Sequence, residues 1–175
     1  MEETMNKIFQ AKHWQLFVTA IVLSFLQEIA SVVSDLLDTL LYIISIVLYV
    51  GWLLVLGSRF RKISSSPQLN YHVFLFVGCT LIAVIVTFRL LALFKPGILK
   101  MFDNTTVILS MMAYLLTSLI ILTSFVGKNL KAIEVGNDID INDYFGDVIG
   151  LIFWPIGIWT FQPRINKLAQ RLASR

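Results

Sequence analysis

Four apolar stretches, each about long enough to cross a bilayer, fill most of this chain, and a fifth is too short to cross comfortably. The four cover residues 13–30, 39–57, 71–94 and 105–126, and the fifth covers 148–161. Runs of roughly 18 or more apolar residues with few charges read as membrane-spanning helices. A helix hydrogen-bonds its own backbone where no water is available, so an all-α bundle is expected. The runs are continuous rather than alternating, which argues against a β-barrel. Composition agrees: 57% of residues are hydrophobic and 14% charged, against ~45–50% and ~25% in soluble proteins. A single integral membrane domain over residues 1–175 is predicted.

The first stretch is longer than a signal-peptide core and lacks a following Ala-x-Ala site, so it is expected to stay as an anchor. No lipidation motif is visible at either end. Residues 31–38 make a very short connection, which predicts that the first two spans form an antiparallel hairpin. Ser64-Ser65-Ser66-Pro67 punctuates the second loop, and Lys95-Pro96-Gly97 ends the third span. Asp103-Asn104-Thr105-Thr106 offers an N-cap for the fourth.

Orientation follows from lysine and arginine. With the N-terminus cytoplasmic, Lys7, Lys12, Arg59, Arg61, Lys62, Lys128 and Lys131 lie inside, and Lys95 and Lys100 outside. If the fifth stretch turns back or lies in the interface, Arg164, Lys167, Arg171 and Arg175 join the inner set, giving eleven inside and two outside. If it crosses, the count is seven and six. Length points the same way, since its fourteen residues reach roughly 21 Å, short of the ~30 Å hydrocarbon core. Pro155 disfavours a straight helix there. The expected topology is four spans, a short re-entrant or interfacial fifth helix, and both termini cytoplasmic. A tilted fifth span from Tyr144, with the tail outside, is the alternative.

Few polar residues are out of place. Glu28 and Arg89 lie inside spans one and three at similar heights, about 22 and 25 Å from the inner ends by helical rise. They form a candidate intramembrane polar pair, either lining an ion pathway or fixing helix packing. Snorkelling of Arg89 to the outer headgroups is the other reading. His13 and His72 sit at inner span boundaries without ligand partners at short spacing. The acidic run 137–143 lacks the spacing, central glycine and terminal glutamate of a calcium loop, and suits a solvated loop with a helix N-cap at Asn142 or Asp143. Cys79 reads as a small packing residue. No catalytic, cofactor or metal site is predicted, and no surface suited to nucleic acid.

The tail, residues 163–175, reads as a basic amphipathic helix. Ile165, Leu168 and Leu172 recur at helical spacing, with Arg164, Lys167, Arg171 and Arg175 largely opposite. Such a helix suits anionic inner-leaflet lipids, and the same pattern would serve a protein partner. Gly146 and Gly150 form the chain's Gly-x-x-x-Gly spacing, a weak packing signal.

Lys12-His13-Trp14-Gln15-Leu16-Phe17 and Pro155-Ile156-Gly157-Ile158-Trp159, followed by Gln162-Pro163-Arg164-Ile165-Asn166-Lys167, resemble a family of small multi-spanning membrane proteins of Bacteroidota. Lys131-Ala132-Ile133-Glu134 and Tyr144-Phe145-Gly146-Asp147 resemble two further elements of that family. The resemblance is most specific in the C-terminal third and implies a bacterial inner-membrane location, with no activity attached. Where such proteins often carry a proline late in span one, this chain reads Ser24-Phe25-Leu26-Gln27-Glu28, and Asp147 stands where glutamate is more usual.

Asp147, Pro155, Gly157, Trp159, Gln162, Pro163 and Arg164 make a candidate docking motif. Asp147 would head a helix whose N-terminus favours negative charge. Pro155-x-Gly157 would break it at mid-depth, Trp154 and Trp159 would anchor it, and Gln162-Pro163 would turn the chain out. The expected function is that of an accessory or scaffold subunit, alone or in a homo-oligomer, with no enzymatic activity. The alternative is a transporter or pore, including membrane-perturbing antiphage effectors, using Glu28 and Arg89.

Overall fold

In the computed structural model, Ser34 alone separates α1 (His13–Val33) from α2 (Asp35–Ile63). The structure describes residues 13–63, 70–95, 97, 104–136 and 139–173. Four more helices follow: α3 (Tyr71–Phe94), α4 (Thr105–Val135), α5 (Ile141–Ile152) and α6 (Trp154–Ala173), with no strand among the described residues. The chain is all-α. Helices α2, α3 and α4 are long and apolar enough to cross a membrane, and α1 contains a shorter apolar stretch, Phe17–Val33.

Small side chains are buried on either side of the reversal after α1, Ala30 on α1 and Thr39 on α2. α3 returns antiparallel to α2, as Ser58 bonds Tyr71 near one end and Arg89 meets Asp38 near the other. Asn104 caps α4 as its sequence predicts, its side chain accepting from the Thr106 amide at 2.9 Å. α2 therefore sits centrally, with α1 on one side, α3 on another and α4 alongside.

α4 continues to Val135, well past the apolar run that ends near residue 126. The extension stays helical because α5 and α6 cover it: Gly127, Asn129, Leu130 and Ala132 are buried. Buried Asn129 satisfies its amide on the Phe125 carbonyl at 2.7 Å.

The segment 148–161 does not run straight. Its helix breaks at Phe153 (φ −86°, ψ 68°), and α6 folds back along α5. The hairpin register is explicit, because Gly150 contacts the level of Thr160 and Phe161 while Asp147 meets Arg164. A Cβ at Gly157 would fall on the carbonyl of Gly150, so the two backbones touch here. The glycine pair that matters is thus Gly150 with Gly157, across the hairpin. Gly146, half of the Gly-x-x-x-Gly spacing, has open space where a Cβ would go.

Proline placement corrects three expectations. The break precedes Pro155, which falls in the first turn of α6, where a missing N–H costs little. Pro163 does not turn the chain out, because α6 runs through it without interruption to Ala173. The tail is therefore the second half of α6 and not a separate helix. Pro155 also lacks the N–H that would have bonded the Leu151 carbonyl in a continuous helix. Tyr49 supplies a donor instead, its hydroxyl bonding that carbonyl at 2.8 Å. Tyr49 is the midpoint of α2, so the hairpin tip reaches roughly 21 Å from either end of that helix.

The core is confined to one end of the bundle. Val50, Leu53, Leu56 and Phe60 of α2 pack with Phe74 and Leu81 of α3, Leu122, Phe125, Val126 and Leu130 of α4, Leu151 of α5, and Phe161, Ile165 and Leu168 of α6. Phe74 and Phe125 stack with ring centroids 4.1 Å apart, and Gly57 leaves them room. At the other end, Leu36, Leu40, Ile44, Leu90, Ile108, Leu109 and Met112 are exposed, as side chains facing lipid would be. Cys79 also faces outward rather than into the packing.

Ala in place of Gly157 should separate α5 from α6 and cost about 1–3 kcal/mol, the usual range for overpacking. Gly146→Ala should cost nothing by this mechanism. Thermal melts of both variants in detergent check the contrast, and equal melting temperatures would contradict the close approach.

Candidate functional site

Three charged side chains from three helices converge beside the hairpin. Glu134 stands in the last turn of α4, Asp147 midway along α5 and Arg164 midway along α6. The Arg164 guanidinium donates through Nε to Glu134 Oε1 at 2.8 Å and through Nη2 to Glu134 Oε2 at 2.6 Å. It also donates through Nη1 to Asp147 Oδ1 at 2.6 Å and through Nη2 to Asp147 Oδ2 at 3.1 Å. Both carboxylates are held two-pronged, a geometry the planar fork of arginine allows and lysine does not. Its carbon stands 5.2 Å from the Phe161 ring centre.

The side chains of Arg164, Glu134 and Asp147 are 29%, 26% and 15% accessible, so water screens the cluster only partly. The Glu134 hydrogen bond is the main influence raising the Arg164 pKa above its ordinary value; Asp147 adds to it and burial opposes it. The guanidinium is charged at every accessible pH, and the cluster acts as a permanent clasp across α4, α5 and α6.

Asp147 does not head a helix. α5 starts at Ile141 with Asp140 as its N-cap, and Asp143 accepts from the Asp140 amide at 2.9 Å. This places the cap two or three residues earlier than Asn142 or Asp143, with the Asp143 carboxylate in the reciprocal role. Asp147 is balanced by Arg164 rather than by a helix terminus.

The other residues of the docking motif mostly face inward. Gly157 touches Gly150, Gln162 is 1% exposed with its amide 3.3 Å from Asn166 Oδ1, and Pro163 is half-buried. Trp159 is the exception: it is exposed and stands edge-on to Phe17 of α1, with centroids 5.3 Å apart. The side chain of Pro155 lies outside the described residues, as does that of His13. Ile165 and Leu168 are buried in the bundle's own core, so the apolar stripe of the tail is covered within the protein. Lys167 is left exposed on the opposite side.

Glu28 and Arg89 are not brought together. Arg89 Nη1 stands 3.5 Å from Asp38 Oδ2, and its guanidinium carbon lies 3.8 Å from the centre of the Tyr42 ring. Glu28 is exposed on α1. Helix order is the reason: α1 packs on α2 and α6, α3 packs on α2 and α4, and α2 stands between the two residues. The sequence did not show which face of each helix meets which neighbour. Asp38 itself was readable as an acid one turn inside α2 opposite the end of α3.

No group of three or more His, Cys, Asp or Glu among the described residues could hold a metal ion. Both carboxylates of the clasp are engaged by the Arg164 guanidinium, an arrangement that fastens three helices together. No family model, curated protein or solved structure matches the chain.

Arg164→Ala leaves two carboxylates facing one another without a cation. The loss should be about 2 kcal/mol, between the ~0–1 kcal/mol of exposed pairs and the ~3–5 kcal/mol of buried ones. Arg164→Lys should recover less than half, because an ammonium cannot hold both carboxylates two-pronged. A denaturation series with Glu134→Ala and Asp147→Ala in double-mutant cycles reads the couplings directly, and additive losses would show that the clasp carries no stability.

Proposed function

We propose that this chain is a non-catalytic bacterial inner-membrane protein, a scaffold or accessory subunit whose rigid cytoplasmic end is built around the clasped hairpin. One observation carries the reading: Glu134, Asp147 and Arg164 are spent on fastening α4, α5 and α6 together. A site for chemistry would keep such groups open to substrate.

The proposed topology has α1 to α4 as four spans, with α5 and the first part of α6 entering and leaving from one side. Arg59, Arg61, Lys62, Lys128, Lys131, Arg164 and Lys167 then share a face, and Arg89 and Lys95 lie toward the other. That asymmetry favours a cytoplasmic location for the basic end. Lys167 and the further basic residues of α6 would approach anionic inner-leaflet lipids through charge, since the apolar stripe beside them is covered. The family resemblance supports the same compartment.

A pore or transporter built on Glu28 and Arg89 has less support. Arg89 is engaged by Asp38, and α2 separates it from Glu28 within one chain.

Two experiments test the proposal. In a variant with Cys79→Ser and Ser174→Cys, maleimide added outside intact cells should leave the tail unlabelled, and permeabilisation should expose it. Labelling without permeabilisation sinks the topology. Glu28→Gln and Arg89→Gln should not alter the recovery of a specific membrane partner by more than about twofold, whereas ion flux in liposomes that disappears with either change would favour the pore.

A further inference from the structure

A concavity of about 600 Å³ lies between α3 and α4 at the end away from the clasp. Ala83, Thr87 and Leu91 of α3 face Val107, Ser110 and Tyr114 of α4 across it. The helices are joined below by the Phe74–Phe125 stack and by Tyr114, whose hydroxyl donates to Thr80 Oγ1 at 3.1 Å. Beyond that bond the facing side chains Ala83, Thr87 and Ser110 are too small to fill the space, and the helices stand apart.

The walls are almost wholly apolar. Ser110 turns its hydroxyl onto the Thr106 carbonyl at 2.8 Å, so it offers no donor to an occupant. Along α3 the cleft runs from Thr80 to Leu91, roughly 16 Å by helical rise. That length is about half of the ~30 Å hydrocarbon core, the reach of one acyl chain in one leaflet, and the apolar walls suit such a chain.

Charge marks the open end. Lys95 is exposed and follows Leu91 by one turn, its backbone amide bonded to the Leu91 carbonyl at 2.9 Å. The sequence between α3 and α4 carries Lys95, Lys100 and Asp103, a net positive connection. Both walls belong to helices long and apolar enough to cross a membrane.

The geometry points to a phospholipid site, in which one acyl chain of an anionic phospholipid lies between α3 and α4 with its phosphate at Lys95. The lipid completes the packing that the described residues leave open at this end.

The test uses the whole protein, delipidated in detergent and titrated with phosphatidylglycerol or phosphatidylcholine of identical chains, with retention read by native mass spectrometry. Phosphatidylglycerol should be held about fivefold more tightly, the worth of one lysine at a charged surface. Lys95→Gln should erase that preference. Ala83→Phe and Ser110→Phe, which fill the cleft from opposite walls, should each weaken retention of both lipids by about tenfold or more. Unchanged melting temperatures show that the filled variants fold, and wild type alone decides the headgroup preference should either variant fail to. Undiminished retention in both filled variants, or equal binding of the two lipids to wild type, overturns the site. A disulfide-linked dimer formed by Ala83→Cys or Ser110→Cys would assign the cleft to a second copy instead.

Discussion

A helix broken in the middle of an apolar bundle exposes backbone groups that neither water nor lipid can satisfy, and the C-terminal architecture depends on how this is resolved. The chain breaks at Phe153 and places Pro155 just after the break, removing one donor that would have capped Leu151. Tyr49, at the midpoint of α2, supplies the replacement. Gly157 and Gly150 let the two limbs touch, and Arg164 binds the returning limb to both α4 and α5. Removing one of these devices leaves the others to hold a reversal at depth.

The clasp and the core reinforce one another through geometry. Arg164 holds Glu134 and Asp147 in place, while Ile165 and Leu168, just beyond it on α6, enter the buried core. The large buried side chains gather at this end, and at the other many described side chains of α2, α3 and α4 face outward. The ionic contact of the open end, Arg89 with Asp38, is longer at 3.5 Å and joins two helices rather than three.

Much of this was legible in the sequence. The apolar runs gave the helices, Asn104 gave the cap of α4, and the brevity of 148–161 gave a segment that turns back. Helical periodicity could not supply the azimuth of each helix about its neighbours. Glu28 and Arg89 have α2 between them, and the acid that Arg89 meets is Asp38. Glu134, Asp147 and Arg164 each stood out as motif residues, but their meeting requires α6 to reverse at one particular residue, which no local pattern specifies. Pro163 misled for a related reason: a proline's cost in a helix depends on what tertiary packing the helix gains, and α6 gains the core. The stripe of Ile165 and Leu168 was read correctly as apolar, though the surface it covers belongs to the protein itself.

Tyr49 and the carbonyl it satisfies are 102 residues apart. On a ribosome adding ~5–20 residues per second, about 2–8 s separate the appearance of Leu130 from that of Leu168. During that interval the core lacks Leu151, Phe161, Ile165 and Leu168, and Glu134 lacks the Arg164 cation. The interior therefore stays unfinished until the final limb arrives and seals it.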